Sequence, residues 1–473
     1  MIKEFETVIG LEVHVQLKTE SKIFCSCSTQ FESPPNHNIC PVCSGQPGVL
    51  PVFNKKALSL GLRAALSLNC KINEGIYFER KNYFYPDLPK NYQISQYKSP
   101  LGYEGSIQIN KNKKIGIERV HLEEDAGKLI HKDKYSLVDY NRTGIPLLEI
   151  VSHPELTSPG EAFDYLYSLK LILQYMGVST CDMEKGYLRC DANISLKEKG
   201  ADNFGTKVEL KNMNSFKGVK AGLEYEIKRQ TAQLKDKKII VQETRLWDSA
   251  KLKTVVMRSK EEAHDYRYFP EPDLPDFIIS KKMIDQEKES LGELPKAKKE
   301  RFINQYQFNE KESCLLIENK QLADFFEKVL KFYKQPKKIY KLLFGPFLEQ
   351  VNLLEGGFDS IKISAKDFAK VVKYFSENKI NNLGVKKIIS LTINNNNNVD
   401  KVIEKEGLIQ LSDKKGIEKI AEKILANNSK AVKEYKQGKS QAIQFLLGQI
   451  MKETRGRANP QLARNILERR LKK

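Results

Sequence analysis

Ile9-Gly10-Leu11-Glu12-Val13-His14-Val15-Gln16-Leu17 alternates apolar and polar residues over most of its length. Successive side chains of a β-strand point to opposite faces, so Leu11, Val13, Val15 and Leu17 share one side and Glu12, His14 and Gln16 the other. The first side is a core face. The second offers a carboxylate and an imidazole two residues apart, able to reach one cation without a loop to position them. The alternative is an amphipathic edge strand with a solvated polar face.

The same period returns downstream. In Arg189-Cys190-Asp191-Ala192-Asn193-Ile194-Ser195-Leu196, the polar residues Arg189, Asp191, Asn193 and Ser195 oppose Cys190, Ala192, Ile194 and Leu196. Lys207-Val208-Glu209-Leu210-Lys211 repeats the pattern with Lys207, Glu209 and Lys211 on its polar face. Ile115 to Asp125 is strand-like and closes on Glu123-Glu124-Asp125, and Glu149 lies between the apolar Ile145 to Leu148 and Ile150-Val151. A charge inside or beside an apolar run costs free energy unless it is paired or metal-bound. Strands that present acids and bases in alternation suit the inside of a cradle-shaped sheet over a nucleotide, and solvated sheet faces carry the same pattern.

Cys25-Ser26-Cys27 is followed, after twelve residues, by Cys40-Pro41-Val42-Cys43. Two close cysteine pairs joined by a turn-rich loop with Pro34, Pro35 and Asn36 can set four thiolates tetrahedrally around one zinc, a closed structural site with no position left for catalysis. The competing reading is four unrelated thiols, buried or disulfide-bonded. Cys70, Cys181, Cys190 and Cys314 stand singly and read as core.

A length of 473 residues predicts two to four domains at about 150 residues each. Hydrophobic content of 40% with 29% charged residues describes a soluble globular chain. No run of about 18 apolar residues occurs, which predicts no membrane span. Met1 to Thr7 carry Glu4 and Glu6 and no apolar core, which argues against a secretory leader and for the cytoplasm. A net charge of +19 favours a polyanionic partner, although a lysine- and asparagine-rich composition, seen also in Asn394 to Asn398, produces the same excess. Neither G-x-x-x-x-G-K-[ST] nor G-x-G-x-x-G nor G-x-S-x-G is present. If ATP is used, carboxylates and metal ions on a sheet must hold its phosphates.

Asn54 caps a helix with the apolar stripe Leu58, Leu62, Ala65 and Leu66, ending near Asn69. Arg80 to Gln93 mixes cations, aromatics and turn residues without periodicity, as a loop for a base or phosphate does, or an ordinary packed loop. Ser158-Pro159-Gly160-Glu161 predicts a capping box opening a helix, and a second helix runs from Phe216 to about Leu234. Asp265 to Asp273 forms another aromatic and charged loop. Composition shifts after Pro275, and from Pro295 the sequence is mostly helical. A last region begins near Gly407, with Ile443, Leu446, Leu447 and Ile450 as a buried stripe and a terminal helix started by Asn459-Pro460. Between Met451 and Lys473 there are eight Lys or Arg and two Glu, the charge of a phosphate-binding surface or of a solvated helix face.

Several of these stretches carry a family resemblance. Val8-Ile9-Gly10-Leu11-Glu12-Val13-His14, Arg80-Lys81-Asn82-Tyr83-Phe84-Tyr85-Pro86-Asp87, His121-Leu122-Glu123-Glu124-Asp125-Ala126-Gly127-Lys128, Leu188-Arg189-Cys190-Asp191-Ala192-Asn193 and Asp265-Tyr266-Arg267-Tyr268-Phe269-Pro270-Glu271-Pro272-Asp273 resemble the B subunits of the bacterial glutamyl/aspartyl-tRNA amidotransferases. The resemblance continues through Gly448-Gln449-Ile450-Met451-Lys452 and Ala458-Asn459-Pro460-Gln461-Leu462, and so covers essentially the whole chain.

The resemblance implies an α+β fold: a cradle domain related to glutamine synthetase and guanido kinases with a mainly antiparallel sheet over 1–292, including the zinc motif at 25–43, then an all-α domain over 293–406 and a small α-helical tRNA-binding tail over 407–473. It implies ATP-dependent phosphorylation of the side-chain carboxylate of misacylated Glu-tRNA(Gln) or Asp-tRNA(Asn). Ammonia from a separate glutaminase (amidase) subunit then gives the amide, in a heterotrimer whose third member is small. It places Mg²⁺ on His14, Glu124 and Glu149, with Glu12 and Asp191 as further ligands and catalytic groups, and makes Lys81, Arg189 and Asn193 the candidate nucleotide-binding side chains. The cysteine quartet matches a zinc motif that some members keep. Mg²⁺ prefers oxygen, so His14 either stands outside the inner ligands or signals tolerance for Mn²⁺. Two other classes compete: a non-enzymatic tRNA-binding scaffold, and a ligase for a free small amino acid.

Overall fold

The structure is a computed structural model that describes residues 4–110, 112–259, 266–395, 397–410, 414–454, 456 and 458–471. The chain divides into two compact units, Met1–Ala297 and Lys298–Lys473.

The first unit is α+β. Its strands are β1 (Phe5–Gln16), β2 (Lys71–Ile72), β3 (Gly75–Ile76), β4 (Glu79–Asn82), β5 (Tyr92–Ser95), β6 (Gly102–Gln108), β7 (Lys114–Glu124), β8 (Lys128–His131), β9 (Ser136–Asp139), β10 (Pro146–Ser152), β11 (Leu188–Glu198), β12 (Val208–Lys211), β13 (Glu243–Asp248), β14 (Lys253–Ser259), β15 (Phe269–Pro270) and β16 (Phe277–Ile278). Nine of them form one mixed sheet in the order β14-β13-β12-β11-β1-β10-β7-β6-β2, antiparallel except for the β12–β13 pair. β1, which carries Glu12 and His14, is a central strand, not an edge.

Alternation decides what each face does. Leu11, Val13, Val15, Leu122, Leu148, Ile150, Ala192 and Ile194 are buried. Three helices cover their side of the sheet: α1 (Lys55–Ser67), α2 (Pro159–Tyr175) and α3 (Phe216–Lys235). Asn54 caps α1 by accepting from the backbone N–H groups of Lys56 and Ala57. Close packing fixes its place: a Cβ on Gly61 would lie 2.7 Å from Leu101 and 3.2 Å from Leu122, so the helix approaches the sheet only because that position has no side chain. The predicted capping box of α2 forms by half. The Ser158 hydroxyl accepts from Glu161 N–H, but the Glu161 carboxylate turns to the N–H of Thr157 at 2.8 Å.

The aromatic stretches behave differently from the loops the sequence suggests. Arg80 to Gln93 begins and ends in paired strands, Arg80 opposite Ile94 and Lys81 opposite Gln93, and β15 adds to the same small sheet with Phe269 opposite Arg80. Strands of two to four residues are too short to show alternation in sequence. Arg80 locks them by donating to both Glu271 oxygens at 2.7 Å and lying 4.3 Å from the Tyr92 ring centre. Asp265 lies outside the described residues.

Every named element of the second unit among the described residues is a helix. Near its end a cluster of its own gathers Ile417, Ala421, Ile443, Leu446, Ile450, Ala458, Ala463, Ile466, Leu467 and Leu471. Leu447 packs against that cluster half-buried. The Asn459 side chain caps the helix Pro460–Leu471 by accepting from Leu462 N–H at 3.0 Å. Of the terminal cations, Arg464 pairs with Glu468 and Arg470 with Glu422, whereas Lys452 and Arg469 form no ion pair among the described residues. Arg455, Arg457, Lys472 and Lys473 lie outside the described residues. No helix among the described residues is long and apolar enough to cross a membrane.

Leu122 is fully buried between β7 and α1. Leu122→Ala should lower the stability of the first unit by about 2 to 5 kcal/mol, read as a fall in its urea unfolding midpoint.

Candidate functional site

On the face away from the helices, one residue from each of four adjacent strands falls into a row. His14 of β1 is opposite Arg189 of β11 on one side and Glu149 of β10 on the other, and Glu149 is opposite His121 of β7. Two residues along, Glu12 is opposite Asp191 and Val151, and Val151 is opposite Arg119. Residues directly opposite in an antiparallel pair share a face, so backbone register alone assembles these groups.

The side chains converge. His14 Nε2 lies 3.3 Å from Glu149, 3.5 Å from Glu123 and 3.8 Å from Glu12, and His121 Nε2 lies 3.3 Å from Glu149 and 3.9 Å from Glu123. Two overlapping triads, Glu12–His14–Glu149 and His121–Glu123–Glu149, each bring one atom per residue within 4.8 Å of one another. Glu149 belongs to both. Burial on its own would lower the His14 pKa, but the hydrogen bond to Glu149 and the charges of Glu123, Glu149 and Glu12 push it up to about 9. Burial works to raise Glu149, yet His121 and His14 hold it well below the usual carboxylate range. Glu12 is raised by burial and by the charge of Glu149. Three carboxylates meeting two imidazoles, with Arg119 no nearer to Glu149 than 3.9 Å, are a donor set that fits a divalent cation, and the nitrogen share widens it from Mg²⁺ toward Mn²⁺.

A cavity of about 620 Å³ opens beside the cluster, lined by Glu12, Arg119, His121, Glu149 and Asn193 and by the cations Lys81, Lys207 and Lys211. Tyr266 and Tyr268 stand at its wall, with Lys81 Nζ 5.0 Å from the Tyr266 ring centre. Burial lowers the Lys81 pKa, but the charges of Glu123 and others raise it further, so the ammonium persists. A second cavity of about 760 Å³ on the same sheet takes in Gln16, Arg142, Arg189, Asp191 and Asn214. Asp191 is ion-paired with Lys211, and Arg189 donates to Asp125 at 2.9 Å.

Of the residues singled out in the sequence, the structure brings together Glu12, His14 and Glu149, and sets Lys81 and Asn193 in the adjoining cavity. Asp191 and Arg189 border the second. It does not bring Glu124 to the cluster. Glu124 points to the opposite side of β7, where Lys90 Nζ lies 2.5 and 2.7 Å from its oxygens and Ile94 N–H donates at 2.8 Å. Glu123 occupies the place expected for it. The signal was present: Val120 and Leu122 are the apolar face of this strand, so parity puts Glu123 with Arg119 and His121, and Glu124 with Leu122. Arg119 and His121 belong to the same alternation, which the run of three acids after them masks in the sequence.

Cys25, Cys27, Cys40 and Cys43 come together, their sulfurs all within 4.8 Å. Cys40 and Cys43 sulfurs are 3.9 Å apart, close to the roughly 3.8 Å of a tetrahedral site with metal–sulfur bonds of about 2.3 Å. The hydrogen bond with Cys25, against the effect of burial and aided by Cys40 N–H and Lys22, pulls the Cys43 thiol down to about 4. The four residues fit a metal ion. Cys70, Cys181 and Cys190 are buried singly, and Cys314 is half-buried.

Comparison with known proteins bears on both units. Residues 7–285 match the GatB/GatE catalytic domain family, and residues 324–471 match a family described as the GatB domain. The chain is 48% identical to the B subunit of the aspartyl/glutamyl-tRNA(Asn/Gln) amidotransferase of Carboxydothermus hydrogenoformans, covering all of both chains. It is 48% identical to the protein of the same name from Caldanaerobacter subterraneus and 45% identical to that from Brevibacillus brevis, in each case over 99% of this chain and at least 99% of the relative.

The two neighbouring glutamates of β7 should separate by experiment. Glu123→Gln is expected to weaken Mn²⁺ binding by about tenfold or more, measured by calorimetry, with little loss of stability. Glu124→Gln leaves Lys90 buried without its partner and should instead cost about 3 kcal/mol of folding stability.

Proposed function

The chain belongs to the B-subunit family of the aspartyl/glutamyl-tRNA(Asn/Gln) amidotransferases, and from that premise we propose that it activates the side-chain carboxylate of Glu or Asp on misacylated tRNA(Gln) or tRNA(Asn) with ATP. The carboxylate oxygen attacks the γ-phosphorus, ADP leaves, and ammonia then displaces phosphate to give the amide. Ammonia comes from glutamine hydrolysed by a separate amidase subunit, and a small third protein completes a heterotrimer in the cytoplasm. The observation that carries this reading is the buried meeting of Glu123 and Glu149 with two imidazoles beside a cavity ringed by cations. A scaffold that only binds tRNA has no use for carboxylates buried at such cost.

Phosphoryl transfer needs positioning and charge neutralisation more than covalent help from the protein. Lys81, Arg119, Lys207 and Lys211 are suited to hold a polyphosphate in the smaller cavity. Glu12, His14, Glu123 and Glu149 would hold the divalent cation. Bound there, the ion would screen phosphate charge from the incoming carboxylate. Asn193 lines the same space with an amide able to orient either substrate. Arg189 and Asp191 line the larger cavity, and we assign them to the aminoacyl end. The sheet with its helices on one face is in keeping with a glutamine synthetase-like cradle over 1–292, a helical domain over 293–406 and a tRNA-binding tail over 407–473. Zinc on the four cysteines would be structural.

ATP hydrolysis by the assembled complex should rise when misacylated tRNA is added and not when correctly charged tRNA is added. Glu149→Gln should cut amide formation by about 100-fold or more, the scale on which a preorganised charge contributes, while leaving glutaminase activity in the partner protein. No stimulation by misacylated tRNA would count against the reading.

The tail makes an independent claim. A chain ending before Gly407 should keep its metal and bind ATP, yet lose tRNA affinity and have a shallower salt dependence, by a slope of about 0.7 to 0.9 for each phosphate contact removed. Affinities measured at two salt concentrations decide it; equal values and equal slopes would reduce the tail charge to a solvated face.

A further inference from the structure

Lys22 has no exposed surface, although lysine almost never lies fully buried without a counter-charge. Its ammonium donates to the carbonyl of Asn38 at 2.8 Å and of Tyr140 at 3.2 Å, and lies 3.5 Å from the Cys43 sulfur. Among the described residues no carboxylate pairs with it. Glu124, across Gly144 from it, is taken up by Lys90 and Ile94 N–H.

We propose that Lys22 is the built-in counter-charge of the four-cysteine metal centre, a positioning residue whose ammonium offsets the negative charge that four thiolates keep around a dication. The inference rests on the reading of Cys25, Cys27, Cys40 and Cys43 as a metal site. Four thiolates and Zn²⁺ sum to about −2, and one ammonium halves that excess. A set of neutral thiols, or of disulfides, would leave a buried cation facing only carbonyl dipoles. The Cys43 sulfur, as a thiolate of the quartet, supplies the anion that the burial of Lys22 requires.

The local fold puts Lys22 where it can do this. Its N–H donates to the carbonyl of Cys27 at 2.9 Å, so its backbone closes the turn bearing the first cysteine pair. Its side chain then crosses to Asn38 and Cys43, on the segment bearing the second pair. One residue thus ties both halves of the knuckle, and its charge lies beside the Cys43 sulfur.

A residue that only braces two carbonyls would act the same way with and without metal, and this separates the two roles. Lys22→Met and Lys22→Gln full-length proteins, loaded with Zn²⁺ and then stripped, are compared with the wild type by chelator competition at fixed pH and by thermal unfolding. Lys22→Met should weaken Zn²⁺ binding by about 10- to 100-fold, the usual effect of removing an outer partner, and should cost the loaded protein more stability than the stripped one, which loses only the two carbonyl contacts. Lys22→Gln keeps a donor without charge, so it guards against a folding failure and should lose affinity as well. Wild-type affinity in Lys22→Gln, or equal destabilisation of loaded and stripped Lys22→Met, would overturn the assignment. Failure of the underlying metal reading shows separately, as a wild type that takes up no zinc or a Cys40→Ser protein that keeps it in full.

Discussion

The charged cluster depends on backbone hydrogen bonding along the run β11-β1-β10-β7. Those bonds put His14 opposite Glu149 and Arg189 and hold them there whatever their charges prefer. Carboxylates left to themselves would move apart. Here the register forces Glu12, Glu123 and Glu149 toward one point, and His14 and His121 are what make that tolerable. The rise of the His14 pKa and the depression of Glu149 are two sides of this compensation. A cation bound in the cluster would take over the role that the imidazolium proton plays without it.

β7 serves two environments at once. Arg119, His121 and Glu123 look into the charged cluster, while Val120, Leu122 and Glu124 look back, Leu122 against α1 and Glu124 against Lys90. The Glu124–Lys90 pair borders the four-cysteine knuckle: Lys22, Cys25, Cys43, Lys90 and Glu124 line one small cavity of about 190 Å³. Gly144, with φ of +80°, lies where these parts meet; a Cβ there would sit 3.5 Å from the Lys22 chain and 3.7 Å from Cys43. The knuckle therefore braces the back of a strand whose front carries Glu123.

The small sheet of β4, β5 and β15 supplies what the large sheet lacks. Large-sheet strands bring acids, an imidazole and the cations Arg119 and Lys211 to the cavity but no tyrosine, whereas β4 adds Lys81 and the segment before β15 adds Tyr266 and Tyr268 to its wall. Arg80 makes this possible by holding Glu271, a buried bidentate ion pair with the Tyr92 ring at its side. Two stretches nearly two hundred residues apart in sequence act as one wall because of that pair.

The sequence by itself determined the longer alternating strands around His14, Asp191 and Glu209 and the pairing of the four cysteines, whereas the short strands β4, β5 and β15 read as loops. Alternation around His14, Asp191 and Glu209 is a local property, and so is the spacing of two close cysteine pairs; each needs only a few neighbouring residues to be read. The caps at Asn54 and Ser158 are equally local, as the structure bears out. Which strands lie side by side was not legible. That His121 joins the cluster follows from β10 lying between β1 and β7, a pairing set by burial of the whole apolar face against three helices. The choice between Glu123 and Glu124 was decidable from parity with Leu122, but only once that leucine was known to face the core. That the Lys22 ammonium also meets the carbonyl of Tyr140, more than a hundred residues away, was not legible in the sequence. Short-range periodicity specifies side-chain direction; long-range packing alone decides what each side chain meets.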